Sequence, residues 1–477
     1  MPQTPAGSSP NLRVGAAVLA AQAAGAVSRA LRRGGGTAMP GLVAERMAPA
    51  LLTHLSEQLP RGAIVVTGTN GKTTTSRMLA GILSHAGWRL LRNASGSNLS
   101  RGIATALAAR ADWLGRLRGV DQVVGLFETD EAAFARVVPA LRPGVIAVTN
   151  LFRDQLDRYG EVDSVAAIWR SALERDLGVR PPHLVLNADD PTVAALGKGA
   201  GHTVYFGIED ARWGHPGLEH AADAKVCPVC GARLEYPVCF YGHLGHWACP
   251  NGHQRPPVAV RASRLELRGF DGTDLTLETP AGGLGFRLPL PGLYNVYNAL
   301  AATAAALTLG ASLGAIREGL ETFSAAFGRL ERVPVGDRTV YLVLAKNPVG
   351  LNEALRTLFA DGAPKHLLLA LNDLDADGRD VSWIWDADLE RVAGQAATLT
   401  VSGRRAEDLA VRLKYAGALD GAHPQLEPAL ERALDAALAT TPPGETLYAV
   451  LTYTAMLALR RVLTERGHIG AYWDQEL

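Results

Sequence analysis

Short runs of apolar, mostly β-branched residues recur through the middle of this chain, and segments with apolar positions at helical spacing separate them. The first run is Ala63–Val66. It breaks at Gly68 and Gly71 and enters a periodic segment, Ser76 to Leu83, that reads as a helix. Further strand candidates are Gln122–Phe127, Val145–Thr149, His183–Leu186 and Thr203–Phe206, with helical segments such as Val162–Leu177 between them. Strands that read as unbroken apolar runs are buried on both faces. Their alternation with helices predicts an α/β protein built on a doubly wound parallel sheet. From Thr339 a second α/β pattern begins, with strand candidates at Val340–Ala345, His366–Leu371, Thr398–Val401 and Leu447–Leu451. Ahead of the first strand, an Ala-rich, mildly apolar segment from Val14 to Leu31 reads as a helix stopped at Arg32-Arg33-Gly-Gly-Gly36. A second helix is expected from Pro40 to Leu59.

The chain has 477 residues, more than one ordinary domain holds, and 48% of them are hydrophobic, enough for large cores. We expect a helical segment over 1–60, an ATP-binding domain over 61–325 interrupted by an insert at about 222–257, and a second α/β domain over 326–477. Formal net charge is zero, which removes the general electrostatic case for a nucleic-acid partner. The Val14–Leu31 segment is too short and too weakly apolar to span a bilayer, and only Arg13 stands where a secretory leader wants a basic stretch. It is expected to be a helix of the folded protein, with contact at a membrane surface as the alternative.

Ligands of doubly wound sheets bind beyond the C-terminal ends of the strands, so the chemistry is sought after each apolar run. In Thr67-Gly-Thr-Asn-Gly-Lys-Thr-Thr74, strand, glycine turn and helix follow one another as a phosphate cradle requires. Gly68, Thr69, Asn70, Gly71, Lys72, Thr73 and Thr74 are the expected nucleotide contacts. Lys72 is expected to serve the outer phosphates and not the core, and the Thr73 hydroxyl to ligate Mg²⁺. The strict motif would have Gly at position 66, where Val66 stands. Glu128-Thr-Asp130 follows the next strand. Glu128, nearest the strand, is the expected carboxylate of the Mg²⁺·ATP site, with helix capping by Thr129 or Asp130 as the bland reading.

All four cysteines fall between positions 227 and 249. Cys227-Pro-Val-Cys230, followed about twenty residues later by Cys249-Pro-Asn-Gly-His253, has the spacing of a zinc ribbon in a reducing compartment. We expect Cys227, Cys230, Cys249 and His253 to hold Zn²⁺, with Cys239 as the alternative ligand and otherwise a buried thiol. Four protein ligands leave no open position, so the site is expected to be structural. The stretch Leu371–Asp386 is dense in Asp and Gly but lacks the terminal Glu of a calcium loop. It reads as a partner-binding or catalytic loop.

The phosphate-loop variant resembles the ATP site of the Mur ligase and folylpolyglutamate synthase superfamily. Thr149-Asn-Leu-Phe-Arg-Asp-Gln-Leu-Asp157 and Leu186-Asn-Ala-Asp-Asp-Pro191 are similar to segments of the same family. So is Leu290–Ala302, where the resemblance implies that Asn298, with Asn295 beside it, contacts adenine. Asn295 as a helix cap is the bland reading. Gly328-Arg-Leu-Glu331 implies that Arg329 reaches ATP. There are departures. Gln155 stands where typical Mur ligases carry a metal-binding His, and no Lys lies between 150 and 190 to be carbamylated for a second Mg²⁺. Lys346 replaces the His of their His-Asn-Pro motif.

Joined to the ribbon, Ala345-Lys-Asn-Pro348 and Asp377-Gly-Arg-Asp-Val-Ser-Trp-Ile-Trp385 make the chain resemble the MurT family, the synthetase subunits of lipid II isoglutaminyl synthase. That resemblance implies a cytoplasmic enzyme acting at the inner face of the membrane. Its reaction would amidate the α-carboxylate of D-glutamate in lipid II through an acyl phosphate, using ATP, Mg²⁺ and glutamine. It also implies a separate glutaminase subunit, GatD, in a heterodimer, with Asp380 completing that partner's Cys-His pair. No nucleophile elbow is visible here, and most of the cysteines are assigned to zinc, which agrees with a glutaminase on another chain. Two rivals are another Mur-class amino-acid ligase and a nucleic-acid-binding zinc module.

Overall fold

The computed structural model describes residues 11–30, 38–93, 97–153, 162–174, 181–219, 222–323, 331–419 and 424–469. Eleven strands fall in the first part of the chain: β1 (Ala63–Thr67), β2 (Arg89–Arg92), β3 (Val123–Glu128), β4 (Val145–Val148), β5 (His183–Asn187), β6 (Thr203–Ile208), β7 (Glu235–Tyr241), β8 (Leu244–Ala248), β9 (Val260–Leu267), β10 (Thr273–Thr279) and β11 (Gly282–Leu288). Nine of them form one sheet in the order β11-β10-β9-β6-β5-β4-β1-β3-β2. From β2 to β9 all neighbours are parallel; β9, β10 and β11 add an antiparallel edge. The doubly wound reading is therefore met, extended by the β-rich residues after Pro256.

The β-strand period sorts these apolar runs onto two faces. Ile64 and Val66 turn to the core that contains Met78, Leu79, Ile82 and the Ala-rich helix Leu293–Thr308. Ala63 and Val65 turn to the core that contains Trp169, Phe134 and the N-terminal helices. Chain order reverses at β1, which has β3 on one side and β4 on the other. The loop after β1 therefore opens at the switch point, where a parallel sheet leaves a crevice for a ligand.

The N-terminal helix runs Leu12–Ala30. The single helix expected from Pro40 to Leu59 is instead two, Met39–Met47 and Leu51–Ser56. Pro49 explains the break: it forces Ala48 out of the helical region, to ψ 88°. No helix among the described residues is long and apolar enough to cross a membrane.

The second sheet holds β12 (Glu331–Val335), β13 (Arg338–Leu344), β14 (Lys365–Ala370), β15 (Ala396–Ser402), β16 (Gln425–Leu426) and β17 (Thr446–Leu451), ordered β12-β13-β17-β14-β15-β16. All but the β12–β13 pair are parallel. The helix Pro348–Leu358 follows β13. Asn347 caps it by accepting the Gly350 N–H at 2.8 Å, and Pro348 sits at its first turn, where no N–H is missed.

Candidate nucleotide and zinc sites

Both phosphate-loop glycines are there because nothing larger fits. Gly68 has φ +132° and Gly71 +84°, values that favour glycine. A Cβ on Gly68 would lie 2.2 Å from Thr149 Oγ1, and one on Gly71 would lie 1.9 Å from Asn298 Oδ1. Gly71 opens the helix Lys72–His85, whose first-turn N–H groups and dipole face the crevice. Asn70 is held on three sides. Its N–H donates to Asn150 Oδ1 at 2.9 Å, its carbonyl accepts Thr149 Oγ1 at 2.7 Å, and its Oδ1 accepts Asn347 Nδ2 at 3.2 Å. Thr69 Oγ1 is fixed between the carbonyl and the N–H of Phe152.

The two expected Mg²⁺ ligands meet: Thr73 Oγ1 donates to Glu128 Oε1 at 3.0 Å. Glu128 is held in turn by Asn93, which receives its N–H and donates to its carbonyl. A hydroxyl and a carboxylate at the head of a phosphate loop suit a hard, oxygen-seeking dication. Lys72 differs from expectation. It is buried, and Nζ pairs with Glu131 Oε2 at 2.9 Å while also donating to the carbonyls of Gly68 and Thr69. Burial pulls the Lys72 pKa down, but Glu131, Asp130 and Glu128 more than restore it, and the net shift is upward. Burial pushes Glu131 up, and Lys72 followed by Lys346 outweigh it, so its carboxyl titrates below its ordinary value. The Lys72 charge is thus set partly by Glu131, a residue that sequence reasoning passed over. The signal was the acidic run at 128–131, of which Glu128 alone was chosen.

Asn295 is not a cap. Gly292 occupies the N-cap, and Asn295 is buried one turn in, donating to the Pro291 carbonyl at 2.8 Å and accepting from Asn298 at 3.1 Å. Asn298 Oδ1 also accepts the Thr75 hydroxyl at 3.3 Å, so both asparagines back the phosphate loop. Arg329 and Gln155 lie outside the described residues.

Cys227, Cys230, Cys249 and His253 converge, with ligand atoms all within 4.8 Å of one another. Each knuckle closes on a glycine: Gly231 (φ +74°) returns its N–H to the Cys227 carbonyl, and Gly252 (φ +86°) returns its own to Cys249. The N–H of Ala232 and the amide of Asn251 lower the Cys230 thiol to about 6, so it offers a thiolate. Three sulfurs and an imidazole in one such cluster match the donor set of a structural zinc. Cys239 is elsewhere, fully buried in β7 against the Gly242 carbonyl, where burial pushes its thiol up to about 12.

The β7–β8 hairpin carries the ribbon toward the phosphate loop. Its turn packs on Phe152, and a Cβ on Gly242 would meet that ring at 2.8 Å. Arg356, on the helix capped by Asn347, donates to the Phe240 carbonyl at 2.6 Å and pairs with Glu219 and Glu353. One guanidinium shared by the buried Glu353 and the half-buried Glu219 leaves the worse-solvated one hard to ionise. Burial pushes Glu353 from 4.5 up to about 7, whereas Arg356 holds Glu219 below its ordinary value. A carboxyl raised on folding stabilises below its unfolded pKa and loses that contribution as pH rises toward the folded one. Glu353→Gln is therefore expected to be near neutral at pH 4, below the unfolded pKa. At pH 8 it should gain about 3 kcal/mol, from 7 − 4.5 = 2.5 pKa units, as read by denaturant titration.

Among the described residues, the carboxylates of the Asp-rich loop after β14 do not converge into a cation-type cluster. Asp377 is buried and accepts the Thr454 N–H at 2.7 Å and the Leu374 N–H at 3.2 Å, pegging the loop to the helix Tyr453–Glu465. Asp380 is exposed, and its Oδ1 accepts the Ser382 N–H at 2.8 Å at the entry to the turn Ser382–Trp385. Asp386, after that turn, lies 3.5 Å from Arg153 of the central unit.

A parallel sheet with a phosphate loop at its switch point, a ribbon insert and a second parallel sheet reaching that loop defines a Mur ligase-type ATP-dependent ligase. Residues 66–243 match the Mur ligase middle domain and residues 344–456 the MurT ligase C-terminal domain. A pseudomurein peptide ligase type C from Methanothermus fervidus superposes with a TM-score of 0.64 at 24% identity, covering 86% of this chain and 80% of that one. The folylpolyglutamate synthase of Mycobacterium tuberculosis, solved with ADP and AMPPCP, gives 0.60 at 17% identity, covering 87% of this chain and 94% of that one. The MurT subunit of the glutamine-hydrolyzing lipid II isoglutaminyl synthase of Streptococcus pneumoniae is 33% identical over 441 residues, 91% of this chain and 94% of its own. The chain belongs to the MurT family.

Proposed function

We propose that this protein is the ATP-using subunit of a two-chain amidotransferase that converts the α-carboxylate of D-glutamate in the lipid II stem peptide to the amide. One observation carries the reading: Asn347, in the MurT-type part of the chain, is hydrogen-bonded to Asn70 of the phosphate loop, so ATP and the second unit serve one site. A carboxylate is a poor acyl donor. Transfer of the γ-phosphoryl group to its oxygen gives an acyl phosphate and ADP. Ammonia then attacks the carbonyl carbon, and the C–O bond breaks with release of phosphate. Mg²⁺, when bound at Thr73 and Glu128, supplies charge neutralisation for the phosphates. Lys72 offers a fixed cation to the transferring group, and the backbone N–H groups of 71–74, at the start of the helix, hold the nucleotide. Asn295, Asn298 and Arg329 complete the nucleotide contacts.

Free ammonia is scarce at neutral pH, so a glutaminase of the GatD kind supplies it, and Asp380, exposed at the entry to its turn, is the residue we assign to orient that partner's His. The lipid anchor of the substrate would bring the reaction to the inner face of the cytoplasmic membrane. The test is to incubate the chain, together with a class I glutaminase, with lipid II, ATP and glutamine, and to read acid-to-amide conversion by mass. ATP hydrolysis stimulated by an amino acid in the absence of any glutaminase would instead favour an amino-acid ligase.

The ribbon is read as structural. The purified protein should hold about one Zn²⁺ per chain. Cys227→Ser and His253→Ala should each lose most of it and lower the thermal midpoint, because metal binding is coupled to folding. Cys239→Ser should keep the metal. Retention of zinc by the His253 variant and its loss from the Cys239 variant would reverse the ligand assignment.

A further inference from the structure

The helix Leu12–Ala30 is apolar on two opposite sides, with Arg13 and Gln22 between them. Val14, Ala17, Val18 and Ala21 are buried against the molecule. The opposite side is exposed and equally apolar: Leu12, Ala16, Leu19, Ala23, Ala26 and Val27 fall within about 100° of arc at 3.6 residues per turn. Leu12 is 71% exposed, Leu19 52% and Val27 57%. A soluble helix normally turns charged and polar residues to water on that side.

The borders of this face say what covers it. Along one border runs the loop after the helix Ser100–Ala109. Gln22 Nε2 donates to the carbonyls of Ala108 and Ala111 at 3.0 Å, and Gly15 has no Cβ because the Trp113 carbonyl lies there. The Trp113 side chain is 57% exposed. On the other border Arg13 Nε donates to the Met47 carbonyl at 2.8 Å, beside the exposed Met47. Arg13, Arg46, Arg110, Arg116 and Arg118 are all exposed in these two stretches. Across residues 11–56 and 97–120 the acidic residues are Glu45, buried against Arg136, and Asp112, 3.6 Å from Arg118; Glu57, paired with Arg142, and Asp121 follow just beyond. A chain of zero net charge has therefore gathered positive charge around its exposed apolar ridge. A second copy of the chain would set arginine against arginine. A lipid surface would take the ridge at the headgroup boundary, Trp113 in the interface and the arginines against anionic headgroups.

We infer that this face docks the protein on a membrane that carries anionic lipids. The inference deepens the proposed lipid-linked substrate, on which its purpose rests, but the vesicle test is independent of that substrate. The full-length chain, together with its glutaminase partner, is sedimented with vesicles of phosphatidylglycerol and phosphatidylcholine in equal parts, free of lipid II. Wild type should bind these, bind phosphatidylcholine vesicles far less, and weaken as salt is raised. Leu19→Glu with Val27→Glu should lower the partition coefficient at least about tenfold. Arg46→Gln and Arg116→Gln should lower it by about fivefold each. These are exposed positions, and the thermal midpoint and the amidation of detergent-solubilised lipid II should stay at wild-type values in every variant. Equal binding by wild type and the Glu variant, or no binding to anionic vesicles, overturns the inference. So does a wild-type dimer that the Glu variant dissolves. Failure of wild type in the detergent assay would count against the substrate, and the vesicle result would still stand.

Discussion

Lys72→Ala is expected to lower ATP-dependent amidation by roughly a thousandfold or more, the scale on which a preorganised charge at a transferring group acts. The geometry adds a second expectation that the motif alone does not give. Lys72 Nζ is buried against Glu131 at 2.9 Å, and Glu131 is itself only 4% exposed. Removing one partner of a buried pair strands the other, at a cost of about 3–5 kcal/mol before relaxation. Glu131 titrates below its ordinary value in the folded protein, so its contribution is present above the unfolded pKa and is lost as pH falls through the folded one. Without Lys72 that shift reverses: burial then favours the protonated acid, and the variant should lose stability as pH rises instead. Lys72→Ala with Glu131→Gln removes both charges and should recover most of the stability but none of the activity. Thermal melts across pH, run beside the amidation assay, separate the two effects. Wild-type turnover in a folded Lys72→Ala variant would remove the loop from the phosphoryl transfer.

Much of this site is written in contiguous residues. The phosphate loop, the two cysteine knuckles and most of the parallel strands come from short runs whose chemistry or period is local, and the strands at 145–148 and 183–187 fall within a residue or so of expectation; the edge strands β2 and β16, short and not apolar runs, were not among the candidates. What escaped depends on distance along the chain. Asn347 meets Asn70 across 277 positions, and nothing at either end of that bond announces the other. Glu131 pairs with Lys72 only because β1 and β3 are neighbours in the sheet, which sets both strand ends over one crevice. The helix expected over Pro40–Leu59 is split for a local reason, the Pro49 that stands between Met39–Met47 and Leu51–Ser56.

The other large effect is expected at Asp380, and it should divide the two half-reactions. Asp380→Asn in the complex with the glutaminase should lower glutamine-driven amidation roughly a hundredfold. In a Ser-His-Asp triad the same exchange costs about four orders of magnitude, and a Cys nucleophile depends less on its base. Amidation driven by high ammonium chloride should be unchanged, because Lys72 and Glu128 lie at the phosphate loop of the first sheet, away from Asp380. The structure sharpens the choice of variant. Asp380 Oδ1 accepts the Ser382 N–H at 2.8 Å, and the hydrogen bonds from Ser382 hold its pKa below the ordinary carboxylate value. Asparagine is as good an acceptor for that N–H as aspartate, so the turn Ser382–Trp385 is kept while the negative charge is lost. Alanine loses both, at a structural cost of about 1 kcal/mol. If Asp380 serves the turn alone, Asn behaves as wild type in both assays and Ala weakens both together. If it orients the partner's His, Asn and Ala fall alike with glutamine and neither falls with ammonium. An Asn variant at full glutamine-driven activity would take Asp380 out of the glutaminase site.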